Sequence, residues 1–493
     1  MSTEHVQDAN TGVTHYQTAP EDRIPMGQRL AYGAGAFVNN LLAAASGGMM
    51  IVLNLGLGMN PALVGLLGAI PRLTDAFTDP LMGYISDNTR TRWGRRRPFI
   101  FTGVFVAAIL FALLWQLPGG HSELFYFWWF LIGSILFYAG YTLWVTPWVA
   151  LGYELTPDYH ERTRLMGTQN FIGQLAYVVS PWFLWIMNSG TFFRNEAGEP
   201  DQVAGAAGLA IVIALVTIAL GVLPAIFLRE RLQNLSDASL VKGLKANLVE
   251  FFKGFAITLK SGPFLKLCAA TFLVFNGFIL ISAFASYVII YYVSGGDQEL
   301  GARYVGWAGT LGAVCTFAVV VLVTWLATRI GKRRAFFAAI GISIIGYGLK
   351  WVCYNPAHPW LVLVPTPLMA FGLGGLFTLV PSMVADVVDL DELATHERRE
   401  GMYGSIFWWT VKLGLAAALA GSGYLLNATG FDVGLGGNQS ERAIFLMRVF
   451  DTAIPMVASA LAIWAIMRFP ITEERAHEVR MELERRRGKG VAS

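Results

Sequence analysis

Long apolar segments recur along the whole chain, and they limit it to a small set of folds. Of its 493 residues, 55% are hydrophobic and only 14% are charged, whereas soluble proteins carry roughly 25% charged residues. A helix needs about 20 mostly apolar residues to cross a bilayer. Twelve segments meet that need, and we number them segment 1 to segment 12: 29–55, 61–86, 98–117, 123–152, 165–189, 205–228, 265–294, 303–327, 334–354, 359–389, 401–427 and 443–469. Because they are long and continuous, they predict an all-α integral membrane protein rather than a β-barrel.

The positive charges concentrate in alternate connections between these segments. Five arginines lie between segments 2 and 3, namely Arg90, Arg92, Arg95, Arg96 and Arg97, and the connection after segment 8 is also basic. Because cytoplasmic loops are enriched in Lys and Arg, we predict a multi-pass protein of the cell inner (plasma) membrane with both termini in the cytoplasm. A short basic loop of this kind is typical of membrane topology, so membrane lipids are expected partners and nucleic acid is not. The first 28 residues lack the apolar core of a cleaved signal peptide, so segment 1 is expected to direct insertion.

Two short motifs recur at nearly the same spacing. G-R-R-R-P-F begins at Gly94 and G-K-R-R-A-F at Gly331, while H-E-R-T begins at His160 and H-E-R-R at His396. Each pair occupies the same place in a half of six segments. Because six is even, both halves enter the membrane in the same sense. This pattern predicts the major facilitator fold, twelve transmembrane helices in two parallel six-helix halves, with the substrate site between the halves.

The repeat also predicts the division of the chain into domains. We expect a cytoplasmic N-terminal tail at 1–28, an N-terminal six-helix bundle at 29–228, a cytoplasmic linker at 229–262, a C-terminal six-helix bundle at 263–469 and a cytoplasmic C-terminal tail at 470–493. Charged residues spaced as on a helix fill that last tail, so a cytoplasmic helix is predicted there.

Several enzyme chemistries lack their motifs in this sequence. It contains no G-x-x-x-x-G-K-[ST] phosphate loop, no H-E-x-x-H and no Cys/His spacing for a metal. The three cysteines, Cys268, Cys315 and Cys353, lie in or near separate segments and predict no disulfide framework. Histidines occur only in loops, tails or segment ends, which argues against a histidine proton relay in the membrane. We therefore expect no enzyme activity, no cofactor and no metal beyond a coupling cation.

Segment 2 keeps charges that are costly in a membrane. Arg72, Asp75 and Asp79 are spaced three and four residues apart, so they share one face of a helix, and Thr78 adjoins Asp79. Each charge in lipid costs a few kcal/mol on insertion scales, and such residues are usually functional. Oxygen ligands suit Na⁺ and a carboxylate pair suits a proton. The segment therefore predicts a site for a coupling cation, Na⁺ or H⁺; the alternative is a structural network in which Arg72 neutralises one aspartate.

Segment 11 supplies a possible counter-charge. Lys412 lies in its middle, and it can pair with Asp75 or Asp79 if segments 2 and 11 face each other across the halves. The alternative is a pair that only holds the halves together. Lys350, near the outer end of segment 9, is expected to extend its head group to the membrane surface. The neighbouring tryptophans of segment 11, Trp408 and Trp409, are expected to pack or to face lipid.

Polar and aromatic side chains in other segments suit a neutral sugar. Amides and hydroxyls bond to sugar hydroxyls, and aromatic rings stack on sugar rings. The predicted substrate contacts are Asn40, Tyr141, Trp148, Asn170 and Gln174. Because the same residue types also hold membrane helices together, helix packing is the alternative for each of them.

Charged residues near the predicted cytoplasmic ends of the segments suggest a gate. Salt bridges there can lock one conformation, and topology or helix capping alone is the alternative. The predicted gate residues are Asp87, Arg95, Arg162, Asp386 and Arg398.

Several motifs carry a resemblance to a known family. R-x-x-D-A-x-x-D-P-x-x-G-x-x-S-D with T-R-T-R-W-G-R-R-R-P, then Y-T-L-W-V-T-P-W-V-A-L, E-L-T-x-D-Y-x-E-R-T and A-D-V-V-D, resemble the glycoside–pentoside–hexuronide:cation symporters, the melibiose permease family. The resemblance covers nearly the whole chain. It implies a cation site formed by Asp75, Thr78, Asp79 and Thr142, with Lys412 as the family's lysine.

The sugar site departs from the family pattern. In the melibiose permease pattern three charged residues engage the sugar, and their positions fall on Asn40, Val145 and Asn170. The loss of all three charges implies a different glycoside. The animal sodium-dependent lysophospholipid symporters share D-A-F-T-D-P and the lysine of segment 11, so a lysolipid is the alternative substrate, and W-G-R-R-R-P-F also resembles proton-coupled sucrose carriers.

The sequence as a whole favours a secondary active transporter. We expect cation-coupled symport, with Na⁺ or H⁺, of a small sugar or glycoside by alternating access. Sodium-dependent lysolipid symport is the second hypothesis. A membrane receptor or scaffold that keeps the fold without transport is the third.

Overall fold

The computed structural model describes residues 5–7, 14–16, 23–156, 159–190, 193, 201–230, 260–396 and 400–486. Its helices coincide with the twelve predicted segments, and we number them accordingly. Helix 1 is Met26–Gly48 with Ile51–Leu55, helix 2 Pro61–Asn88, helix 3 Arg97–Leu114, helix 4 Glu123–Glu154, helix 5 Tyr159–Val179 with Phe183–Asn188, and helix 6 Gln202–Gly221 with Leu223–Phe227. Helix 7 is Gly262–Tyr287 continued by a π-helical turn at Val288–Val293, helix 8 Gln298–Ile330, helix 9 Lys332–Cys353, helix 10 Thr366–Thr395, helix 11 Glu400–Thr429 and helix 12 Glu441–Met467.

Shorter elements complete the described chain. Turns of 3₁₀ helix lie at Ser180–Trp182, Pro359–Leu363 and Val433–Leu435, and two short antiparallel strands are His5–Gln7 and Thr14–Tyr16. The charged tail contains helix 13, Glu473–Arg486. Helix 13 buries Val479 and Leu483, and Arg486 Nη1 donates to the carbonyl of Leu393 at 3.0 Å. Helix 13 therefore packs on the end of helix 10.

Ten helices in the described residues are long and apolar enough to cross a membrane. Helices 2 and 5 do not meet that criterion, and in helix 2 only Pro61–Thr74 forms a shorter apolar stretch. These two helices carry most of the polar residues that the sequence assigns to ion and substrate. The all-α membrane fold is thus confirmed, while the crossing of helices 2 and 5 stays a prediction.

The two halves turn at equivalent glycines. Gly94 (φ +114°) precedes helix 3, and Gly331 (φ +82°) precedes helix 9. Such backbone angles favour glycine because they leave no room for a Cβ atom. The glycines of the repeated motif therefore both take a positive φ shortly before a helix begins.

Hydrogen bonds join the two halves at one end of the bundle, which we call the outer end because the arginine-rich loop 89–96 lies at the opposite, inner end. They are uncharged and pair Asn54 with Tyr287 (2.8 Å), Asn60 with Asn427 (2.6 Å), Trp182 with Thr310 (2.9 Å), Thr310 with the carbonyl of Val178 (2.8 Å) and Gln202 with Gln298. A hydrophobic core of the N-terminal half also continues into the outer ends of helices 7, 11 and 12, whereas the inner part of the C-terminal half has its own core. The outer end is therefore closed across the halves.

Candidate functional site

Helix 2 carries a cluster of oxygen atoms near its middle. Thr142 Oγ1 of helix 4 donates to Asp79 Oδ1 at 3.1 Å, and the hydroxyls of Thr78 and Thr142 lie 3.5 Å apart. The structure thus brings together three of the four predicted cation ligands. The side chain of Asp75, the fourth, lies outside the described residues. A carboxylate with two hydroxyls is the kind of oxygen set that binds hard cations.

Lys412 bridges the halves at this cluster. Its Nζ lies 2.6 Å from Asp79 Oδ2, so helix 11 supplies the positive charge opposite helix 2. The two side chains remain 49% and 32% exposed, respectively. Ion pairs this open to solvent contribute about 1 kcal/mol or less, so a competing cation can separate them.

Glycines let helices 2 and 11 approach closely enough for this pair to form. A Cβ atom on Gly65 would lie 2.6 Å from the carbonyl oxygen of Leu419, and one on Gly423 would overlap the carbonyl oxygen of Pro61. Small residues are what allow membrane helix backbones to pack tightly. The outer halves of these helices therefore fix the position of Lys412 relative to Asp79.

Arg72 points toward helix 4. Its guanidinium lies 4.6 Å from the centre of the Tyr138 ring, which is a cation–π contact. Its predicted role, the neutralisation of one of the two aspartates, stays a prediction, because the side chain of Asp75 lies outside the described residues.

The predicted substrate residues form two small polar groups. Tyr141 OH donates to Asn39 Oδ1 at 2.5 Å, and Asn39 Nδ2 donates to Asn40 Oδ1 at 3.0 Å, which joins helices 4 and 1. On helix 5, Gln174 Nε2 lies 3.5 Å from Asn170 Oδ1, and Asn170 is exposed. The structure therefore places amide and hydroxyl groups on helices 1, 4 and 5 of the N-terminal half.

Trp148 does not join these groups. Its side chain is 2% exposed. Its ring packs 5.0 Å from that of Tyr32 and 5.8 Å from that of Trp144, and the indole nitrogen lies against Gly35. The structure therefore places Trp148 in the core of the N-terminal half, where it positions helix 1 against helix 4.

The described gate residues pair within each half. Arg95 contacts Glu154 at 2.5 Å in the N-terminal half, and Lys332 contacts Asp386 at 2.7 Å in the C-terminal half. Glu154 and Lys332 are partners that we did not predict, although Lys332 occupies the position of Arg95 in the repeated motif. The side chains of the other predicted gate residues, Asp87, Arg162 and Arg398, lie outside the described residues.

The expectation for Lys350 is wrong. Its side chain is 1% exposed, and its Nζ lies 2.5 Å from Oδ1 of Asp451, which is 2% exposed. The pair joins helices 9 and 12, and the ammonium also lies 5.1 Å from the ring centre of Tyr354. The buried carboxylate of Asp451 on helix 12 neutralises the lysine, so the ammonium group does not extend to the membrane surface. The lone Asp451 within segment 12 was the signal that could have revealed this pair.

Trp408 packs on another aromatic ring, which is one of the two arrangements that we expected for it. It precedes Lys412 by four residues, so the two side chains share a face of helix 11. Its ring lies parallel to that of Phe377 on helix 10, with the ring centres 6.1 Å apart and 8° between the planes. Because Lys412 contacts the other half, this face of helix 11 is turned toward that half.

Comparison with known proteins identifies the chain's relatives. Residues 31–473 match the family model described as MFS/sugar transport protein. The isoprimeverose transporter of Lactiplantibacillus pentosus is 24% identical, with 95% of this chain and 93% of that one covered. The sodium-dependent lysophosphatidylcholine symporter 1 of Mus musculus is 24% identical, with 94% and 89% covered.

A solved structure shows the same fold. A bacterial homolog of the human lysosomal transporter Spinster, in an inward-facing and unoccupied conformation, matches with a TM-score of 0.64 and 16% identity, covering 90% of this chain and 96% of that one. Together with the family match, this confirms the predicted major facilitator fold and transporter class. The chain belongs to the MFS/sugar transport protein family.

Proposed function

We propose that this protein is a symporter that couples the entry of a sugar or glycoside to a cation, Na⁺ or H⁺, by alternating access. It works in the cell inner membrane with both termini in the cytoplasm, an orientation that the basic inner loops support. The observation that carries the proposal is the oxygen cluster of Asp79, Thr78 and Thr142, which Lys412 bridges from the other half.

The cation and Lys412 compete for one carboxylate. Asp79 Oδ2 accepts from the ammonium of Lys412, while Oδ1 accepts from Thr142. A cation that binds the carboxylate and the two hydroxyls neutralises Asp79, so the electrostatic attraction for Lys412 is lost. Cation binding therefore releases the lysine into the space between the halves, where it can contact the substrate.

The same pair couples binding to conformation. Because Asp79 and Lys412 belong to different halves, each binding event at Asp79 changes a contact between the halves. Coupling of this kind is reciprocal: if the cation tightens substrate binding, the substrate tightens cation binding by the same factor. Cation and substrate then cross together.

The outer end is the part that must open to admit the substrate. The five cross-half hydrogen bonds among its described residues are uncharged, and each contributes about 0.5–1.5 kcal/mol net. Bonds this weak can be exchanged for water and for contacts at the inner end. The described inner ion pairs stay within one half each, as expected for an inward-facing state.

A sugar or glycoside fits the polar groups of the N-terminal half. Asn40 and Tyr141 are linked through Asn39, and Asn170 lies with Gln174, so hydroxyls of a neutral ligand find both donors and acceptors. The isoprimeverose transporter is a relative over nearly the whole chain. These features support the sugar class.

A lysolipid is the second candidate substrate. The mouse lysophosphatidylcholine symporter is as similar to this chain as the isoprimeverose transporter is. The uncharged residues at Asn40, Val145 and Asn170 also suit a ligand without the charge contacts of the melibiose permease pattern.

Uptake into proteoliposomes tests the proposal. Radiolabelled glycosides and lysophosphatidylcholine are offered under an imposed Na⁺ gradient and, separately, a proton gradient. We expect gradient-driven glycoside uptake by the wild type, none by Asp79→Asn, and full uptake by Asp432→Asn, which makes the same change in an exposed outer loop. Gradient-driven uptake of the lysolipid alone would show that the substrate is a lysolipid and not a sugar. Undiminished uptake by Asp79→Asn would contradict the assignment of the cation site to Asp79.

A further inference from the structure

An exposed indole lies one helical turn from the lysine that bridges the halves. We propose that Trp408 is the ring-stacking surface of the substrate site, and that the substrate is a glycoside whose pyranose ring presents its apolar C–H face to this indole. The inference rests on the proposed sugar transport and adds the residue that recognises the pyranose ring of the substrate.

Helix 11 has two exposed faces, and Trp408 lies on the face that is turned toward the N-terminal half. Trp408 (54% exposed) and Lys412 (49% exposed) are four residues apart and therefore neighbours on one face. That face borders the other half, because Lys412 contacts Asp79. The exposed residues Ala417 and Tyr424 fall on the opposite side of the helix, about 160–180° away at 100° per residue.

Aromatic rings of helices 7 and 10 support the indole of Trp408. The ring of Phe377 lies parallel to it at 6.1 Å, and the ring of Phe275 meets that of Phe377 edge-on at 5.6 Å. The nearly parallel ring of Phe377 limits the rotation of the indole, while 54% of Trp408 remains exposed to a ligand. A ligand therefore meets a ring whose orientation is already fixed by helices 7 and 10, which lowers the entropy that binding must remove.

The chemistry around the ring matches a pyranose. One face of such a sugar carries C–H groups that pack on an aromatic ring, while its edge carries hydroxyls. Lys412, once the cation has released it, can donate to those hydroxyls from one turn away. Aromatic walls with a few polar groups are typical of small-molecule sites. A lysolipid chain would need only apolar contact, which leucine supplies as well as tryptophan.

Four purified proteins test this assignment: the wild type, Trp408→Leu, Trp408→Phe and Trp464→Leu. Trp464 is the matched control, because it is 51% exposed on helix 12 and stacks with Arg468. Calorimetry measures the affinity for a panel of pyranosides and for lysophosphatidylcholine, and the melting midpoint without ligand checks folding. We expect Trp408→Leu to lose about tenfold in pyranoside affinity, with no loss in the control.

Tryptophan fluorescence supplies a second measurement that does not depend on the leucine variant. A bound pyranoside should change the emission of the wild type, and the change should be absent in Trp408→Phe. Equal affinities and equal emission changes in all four proteins would overturn the role of Trp408 while leaving sugar transport intact. A wild type that binds the lysolipid and no pyranoside would overturn both.

Discussion

Two Lys–Asp pairs in this membrane domain differ in burial, and that difference predicts that the same substitution destabilises the protein to very different extents. Lys350 and Asp451 are 1% and 2% exposed, whereas Lys412 and Asp79 are 49% and 32% exposed. We predict that Asp451→Asn destabilises the protein strongly and that Asp79→Asn hardly does. The first change leaves an ammonium buried without a counter-charge, while the second leaves one that solvent can reach.

The burial of each pair determines how much stability is lost when one partner is removed. Removing one partner of a buried ion pair costs about 3–5 kcal/mol, because the remaining charge has lost its hydration. Separating an exposed pair costs about 1 kcal/mol or less. At about 2 °C per kcal/mol, as in larger domains, Asp451→Asn should lower the melting midpoint by roughly 6–10 °C and Asp79→Asn by at most about 2 °C.

A thiol-reactive dye provides the assay. The three native cysteines are buried or partly buried, so they become reactive as the chain unfolds. Asp432→Asn in the exposed outer loop is the matched control, and the double variant Lys350→Met, Asp451→Leu removes both charges and should recover most of the loss. Equal midpoints for Asp451→Asn and the control would refute the reasoning from burial, as would a double variant no more stable than the single one.

Two further predictions concern packing at each end of the bundle. Gly423→Leu overlaps the carbonyl of Pro61, where the outer ends of helices 2 and 11 touch, and overpacking costs about 1–3 kcal/mol. This cost falls on the closed state of the outer end, so initial uptake should fall about 5–150-fold, whereas Gly47→Leu, which meets no atom within 4 Å, should transport normally. Glu230→Gln weakens a carboxylate that accepts three backbone N–H groups from Arg95–Arg97 at 2.8–2.9 Å, and it should lower the free energy of unfolding by about 1.5–3 kcal/mol. Chemical denaturation checks this value, and an unchanged midpoint would contradict it.

The helices could be predicted from the sequence because their signal is local. An apolar segment of sufficient length leaves few choices in a membrane, and the repeated glycine motif locates the two halves. A pairing of Lys412 with Asp75 or Asp79 could also be predicted, because these charges lie in apolar surroundings and need partners, although the choice of Asp79 came only from the structure.

Contacts that depend on the rotation of a helix were harder to predict. Segment 4 is apolar on all sides, so its pattern does not say which face is buried, and Trp148 lies in the core rather than with Tyr141. Trp408 shares its face with Lys412, a relation that the spacing of four residues could have revealed. The pairing of Lys350 with Asp451 depends on which helices are neighbours, and a single sequence does not show which helices pack together.

Competition between the cation and Lys412 for Asp79 is tested most directly by cation-dependent melting. The midpoint is measured while Na⁺ replaces K⁺ at constant ionic strength and, separately, across pH, for the wild type, Asp79→Asn and Lys412→Ala. We predict that the coupling cation raises the midpoint of the wild type, has no effect on Asp79→Asn, and half-saturates Lys412→Ala at a concentration about fivefold lower, because the competing ammonium is gone. A cation response that survives in Asp79→Asn, or that weakens in Lys412→Ala, would contradict the account.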